Sequence, residues 1–165
     1  LSSDPALKFD AIPRFAPEHF GFINNPSPAS YKPFRKGLEH LLSENIIQAF
    51  HFTAPELQNR ILLGAVGVLQ FDVLRYRLKN EYGAESDIEP KPWKVLRWVQ
   101  CDLSDELLAD MLPYESVIAY DEDGRRVILF SSEWSMEHFL DRHQAKVSLS
   151  NSPINYAEPA ILSAG

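Results

Sequence analysis

The sequence predicts an α+β fold: a ferredoxin-like two-layer sandwich, βαββαβ, with an antiparallel sheet and both helices on one face. Three observations carry that prediction. The elements up to residue 89 run strand, helix, strand, strand, helix, strand, so the strand-helix-strand unit occurs twice. Within the second unit, residues 61–81, ILLGAVGVLQFDVLRYRLKNE, pass from a continuous apolar run into a helical period across Gly64 and Gly67. Residues 101–144 then read as a helix, a hairpin and a helix, a C-terminal extension packed on the core at 14–100.

Taken in order, residues 1–13 have no clear period and contain Pro5 and Pro13, as in an incoming linker or an added strand of a longer protein. Phe15, Phe20, Phe22 and Ile23 mark a first strand, ended by Asn24-Asn25-Pro26-Ser27-Pro28. Pro33 suits an early helical position, and Phe34, Leu38, Leu41 and Leu42 form the apolar stripe of a helix to residue 44. Gly37 inside that helix costs about 1 kcal/mol relative to alanine, which points to close approach by a neighbour.

Residues 46–52 are a strand by their β-branched and aromatic content, joined through 53–59 to the strand at 60–65. Val68, Phe71, Leu74 and Leu78 give the next helix its core face, Asp72, Arg75 and Lys79 its wet face, and Tyr82-Gly83 its end. Residues 84–89 are extended and stopped by Pro90 and Pro92, and 93–101 return to strand character and add to the sheet.

Ser104 caps a short helix with Asp105 and Glu106 in its first turn, ended by Pro113. Residues 116–120 and 126–130 flank Asp121-Glu122-Asp123-Gly124, a hairpin signal. Ser131 or Ser132 opens the last helix, anchored by Trp134, Phe139 and Leu140. The Ser-, Pro- and Ala-rich residues 145–165 read as a poorly ordered tail.

Composition narrows the function classes. At 165 residues and 45% apolar content the chain can bury a core, and no apolar run is long enough to span a membrane. The opening residues lack the basic-then-apolar order of a signal peptide, so a cytoplasmic location is expected. A single cysteine, Cys101, excludes an internal disulfide and reads as a small buried apolar side chain. The net charge of −7 argues against nucleic-acid binding over the whole surface. Its distribution is uneven: residues 31–80 hold seven Lys/Arg against four Asp/Glu, and residues 81–125 hold four against twelve.

No enzymatic constellation stands out. There is no Gly-x-Ser-x-Gly elbow, and Cys101 has no histidine near it in sequence. Glu137, His138, Asp141 and His143 lie on a helix end, but the two histidines are five apart and point to different faces, so a solvated end is the better reading than a metal site. The 121–124 turn lacks the later glutamate of a calcium loop: position 132 is Ser132. The glycines around 64–67 lack the spacing and the Lys-Ser/Thr pair of a phosphate loop. Phe15, Phe20, Phe22, Phe50, Phe52, Trp93 and Trp98 read as core rather than as base-stacking platforms, because the glycine-aromatic words of an RNA-recognition sheet are missing.

LLGAVGVLQFDVLRYRLKNEYG, with FAPEHF at 15–20 and RKGLEHLLSEN at 35–45, resembles the C-terminal domain (domain III) of the bacterial peptide chain release factor 3 family, translational GTPases related to elongation factor G. In the elongation-factor version an acidic residue and a histidine usually stand at the positions of Val68 and Gln70. The resemblance implies the same fold, and a parent protein that uses GTP, GDP and magnesium in an N-terminal G domain absent from this chain. The chain itself is then not an enzyme and holds no cofactor.

Partners implied are the ribosome (RNA and protein) and the G domain and second domain of the same parent chain. A functional link to class I release factors, whose dissociation the parent promotes in translation termination, also follows. Contact candidates chosen by charge are Lys32, Arg35 and Lys36 at the start of the first helix and Arg75 and Lys79 on the second. A small-ligand regulatory module and an RNA-binding sheet are the alternative readings of the same fold class.

Overall fold

The computed structural model describes residues 16–153. The segment 1–13, Phe15 and the tail from 154 onward lie outside the described residues. The strands are β1 (His19–Asn24), β2 (Gln48–His51), β3 (Ile61–Ala65), β4 (Asp87–Lys91), β5 (Val95–Gln100), β6 (Val117–Tyr120), β7 (Arg126–Phe130) and β8 (Ser148–Ser150). The helices are α1 (Tyr31–Ser43), α2 (Leu69–Tyr82), α3 (Asp105–Met111) and α4 (Glu133–His143).

The fold is α+β, and all eight strands join one antiparallel sheet in the order β4-β1-β3-β2-β6-β7-β5-β8. The first four strands form one half and the last four the other. Only the His51–Tyr120 pair bridges β2 to β6, so the halves meet at a narrow join.

Side-chain alternation explains how the halves are held. On the first half, Ile23, Ala49, Leu63 and Ala65 turn to α1 and α2 and pack with Phe34, Leu38, Leu41, Leu74 and Leu78. On the second, Val95, Val99, Ile128 and Phe130 turn to α3 and α4 and pack with Leu108 and Phe139. The opposite faces meet each other. Phe20, Phe22, Phe50, Phe52 and Leu62 share one core with Trp93, Leu96, Trp98, Val127 and Leu129. No residue of α1 to α4 belongs to that core, yet Phe50, Leu62, Leu96 and Trp98 are wholly buried, so the two half-sheets cover one another.

This departs from a two-layer sandwich, in which one sheet face looks to solvent. The reason is the aromatic load of that face: large side chains on both halves bury most area by closing on each other. β5 extends the sheet, but as the partner of β7 and β8 rather than of the first four strands. β8 lies where a poorly ordered tail was expected.

Other expectations are corrected in detail. Trp134 does not anchor α4; it is 70% exposed and stacks on His138, and Phe139 alone in that helix is fully buried. Val68 is 58% exposed rather than on the core face of α2, because the core contact of that helix is carried by Leu74 and Leu78. Cys101 is half-buried, with its Sγ 3.0 Å from Arg126 Nη2. Pro90 lies inside β4, which tolerates it because β4 is an edge strand.

Several local readings hold. Ser104 and Ser132 accept from the backbone N–H groups of Leu107 and Ser135. Gly83, at φ +66°, ends α2 with its N–H on the Lys79 carbonyl, a backbone shape that glycine adopts without strain. Gly37 sits where α1 touches α2: a Cβ there would lie 2.7 Å from the Tyr82 ring.

Candidate interaction surface

The helical layer over the first half-sheet has two distinct ends. Gly37 of α1 faces Tyr82 of α2, and Glu44 just past α1 meets Arg77, so the helices run antiparallel. Arg77 fastens them. It donates to both Glu44 oxygens at 2.6 and 3.2 Å and to both Glu81 oxygens at 2.7 and 3.1 Å. These bonds hold the Glu44 and Glu81 carboxyls below their ordinary range. The start of α1 therefore lies beside the end of α2, and the start of α2 lies at the other end of the pair.

At the first end stand Lys32, Arg35 and Lys36, all exposed. The first turn of α1 holds no acidic residue, so these cations add to the positive end of the helix dipole instead of offsetting it. That is locally unfavourable for Lys32, which lies in the first turn. Arg35 is steadied by donating to the Tyr31 hydroxyl at 3.1 Å. Among the described residues, neither Lys32 nor Lys36 lies within ion-pair distance of a carboxylate. Arg75 and Lys79 differ: Arg75 donates to the Ser86 carbonyl at 3.1 Å and faces Asp87 at 3.8 Å, and Lys79 faces Glu85 at 3.6 Å. Of the five candidates the structure thus groups three, and it gives the other two local anionic partners.

At the second end the backbone turns from β3 into α2. Gln70 Oε1 accepts from the N–H groups of Val66 and Gly67 at 2.9 and 3.1 Å, so the donors that would cradle an anion are occupied by the chain's own side chain. The turn is held in place while Val66, Val68 and Leu69 point outward, Leu69 being 71% exposed. Sequence reasoning missed both features. The spacing of Gln70 after Val66 and Gly67 resembles a capping arrangement and is a usable signal. The exposure of Val68 has none, because its period matches a core position.

In the second half-sheet two acidic side chains are bonded within the fold. Asp121 is 5% exposed, and all its bonds close within the fold. Its Oδ1 accepts from the N–H groups of Asp123 and Arg125 at 2.9 and 2.8 Å, and its Oδ2 from Trp98 Nε1 at 3.0 Å. Asp105 accepts from the Tyr120 hydroxyl and from Arg126 at 2.8 Å. Burial raises the Asp105 carboxyl, but the bonds from Tyr120 and Arg126 outweigh it and leave the group below its ordinary range. Burial first, and then the bond to Asp105, push the Tyr120 phenol up to about 12.

Among the described residues no three His, Cys, Asp or Glu side chains come together as a metal site, and no helix is long and apolar enough to cross a membrane. His138 and His143 instead lie against the Trp134 and Phe139 rings.

Comparison with known proteins adds a family. Residues 9–140 match the model described as class II release factor RF3, C-terminal domain. The chain is similar to Peptide chain release factor 3 of Gloeobacter violaceus, at 39% identity over 83% of the chain and 26% of that protein. It is similar to the protein of the same name from Synechococcus sp., at 38% over 90% of the chain and 26% of the relative, and from Symbiobacterium thermophilum, at 37% over 87% and 26%. The chain thus spans about a quarter of the length of these curated relatives.

Proposed function

Because the chain belongs to the family of class II release factor RF3 C-terminal domains, we propose that it is the ribosome-contacting domain of a peptide chain release factor 3 acting in translation termination. In this reading the first four strands, ordered β4-β1-β3-β2 under α1 and α2, are a ferredoxin-like unit, and the second half-sheet is its extension. The parent polypeptide works in the cytoplasm. It carries GTP, GDP and magnesium in an upstream G domain, meets that domain and a second one through this chain, and promotes dissociation of class I release factors. This chain supplies contact surface and no chemistry. The Val66–Gly67 turn supports that division, since its amide donors are taken by Gln70.

The observation that carries the reading is the exposed cluster Lys32, Arg35 and Lys36 on a helix whose first turn holds no acidic residue. Such a cluster suits ribosomal RNA phosphate, and removing a cation that meets phosphate lowers the salt dependence of binding. The buried inner face disfavours the other RNA mode: Phe20, Phe22, Phe50, Phe52, Trp93 and Trp98 have no free ring faces on which bases could stack.

The test is co-sedimentation of the full-length factor with bacterial ribosomes over a salt series, comparing the parent with Arg35→Glu/Lys36→Glu. The variant should bind at least tenfold more weakly and with a shallower salt slope. Equal binding at every salt concentration removes these residues from the contact.

A further inference from the structure

We infer that the start of α2 is the seam on which the upstream part of the same polypeptide packs, an inference that rests on the reading of this chain as the C-terminal quarter of a longer factor. Val66, Val68 and Leu69 stand exposed in succession, and Val73 and Tyr76 continue the exposed apolar surface along α2. The surface is preorganised. Gln70 closes the turn with its side chain on Val66 and Gly67, while its own N–H donates to the Gly67 carbonyl at 3.1 Å. A rigid loop that holds three large apolar side chains in water has the properties of a docking site.

The surface continues into a groove of about 410 Å³, where Val68 and Phe71 face Pro90, Pro92 and Trp93. Glu18 and Lys94 line both this groove and a neighbouring one that reaches Ala16, Pro17 and Val66.

The path of the chain identifies the occupant. The segment leading into β1 is pinned beside the apolar turn: Glu18 N–H donates to the Ala65 carbonyl at 3.0 Å, and Pro17 packs on Gly64, where a Cβ would lie 2.7 Å from its ring. Ala16, the first described residue, lines the groove beside Val66, so the described chain begins at this end of the domain. The curated relatives carry about three-quarters of their length outside the matched part, and the match is to their C-terminal domain. A covalently joined partner that arrives at a preformed apolar surface has a high effective concentration there, so modest contacts suffice to dock it.

The experiment uses the full-length factor and the double variant Val68→Asp/Leu69→Asp. Acidic residues at a helix start are favourable, so the domain should keep its fold, which circular dichroism checks. Without ribosomes, small-angle scattering should show a larger radius of gyration for the variant, and limited proteolysis ahead of β1 should accelerate about tenfold. Tyr114→Asp, on the second half and 89% exposed, should change neither.

Three results would overturn the seam. One is an unchanged radius and cleavage rate in the variant. Another is a dimer that depends on Leu69. The third is loss of ribosome binding by the double variant with its domain arrangement intact. Failure of the wild-type factor to bind ribosomes would instead remove the functional reading, and the scattering comparison would still decide the seam.

Discussion

The two halves of the sheet share a plan and differ in where particular polar and apolar groups are placed. Each half covers its outer face with two helices and turns aromatic and aliphatic side chains to the common core. In the second half two acids are bonded within the fold: Asp121 to Trp98 and its own turn, Asp105 to Tyr120 and Arg126. In the first half Lys32, Arg35 and Lys36 point away from the fold at one end of the helix pair, and Val66, Val68 and Leu69 do so at the other. The difference separates groups bonded inside the fold from groups that face solvent. A polar group satisfied inside the fold stabilises it, whereas an exposed cation or apolar side chain is available to something outside.

The strongest way to break that contrast is Asp121→Ala. It strips three donors of their acceptor in a buried place and should cost about 3 kcal/mol, read as a loss of melting temperature in this chain. A loss below about 1 kcal/mol would mean that water replaces the carboxylate and that the second half is less closed than described.

Gly64→Ala tests the first half's core. The added methyl meets the Pro17 ring and Phe50 at 2.7 and 3.0 Å and should cost about 2 kcal/mol in denaturant unfolding.

Tyr120→Phe should cost about 1.5 kcal/mol and also changes the pH response. The folded phenol, raised to about 12, lies above its unfolded value near 10, so its contribution is full below pH 10 and is lost as pH rises through about 12. Wild type should lose stability across that window more steeply than the variant. Asp105 behaves in the opposite sense. Its carboxyl is depressed on folding, so its contribution is present above the ordinary carboxylate range and is lost as pH falls through the folded value.

The smallest effect sharpens the contrast instead of breaking it. Arg35→Glu/Lys36→Glu should leave stability within about 0.5 kcal/mol of wild type, since both side chains are exposed, while ribosome binding falls. A large loss of stability would make the cluster a structural one.

Local chemistry was legible wherever its cause is local. The caps at Ser104 and Ser132, the αL stop at Gly83 and the turn at 121–124 each depend on residues a few positions apart, and each appears as read. The near contact at Gly37 was legible because a glycine within a helix calls for a reason. The exposure of Trp134 and Val68 was not, because a helical period says which residues share a face and leaves open which face meets the core.

The order of elements from β1 to α4, the α+β class and the family words were thus determined by the amino-acid sequence alone, because hydrophobic period, turn residues and capping act over short range. Tertiary structure alone decided that the two half-sheets cover one another, that β5 pairs with β7 and β8, and that Arg77 joins Glu44 to Glu81. It likewise decided which cations stay free and which meet carboxylates. Each of those outcomes depends on groups many residues apart competing for the same buried surface or the same charge, and that competition is settled only when the whole chain packs.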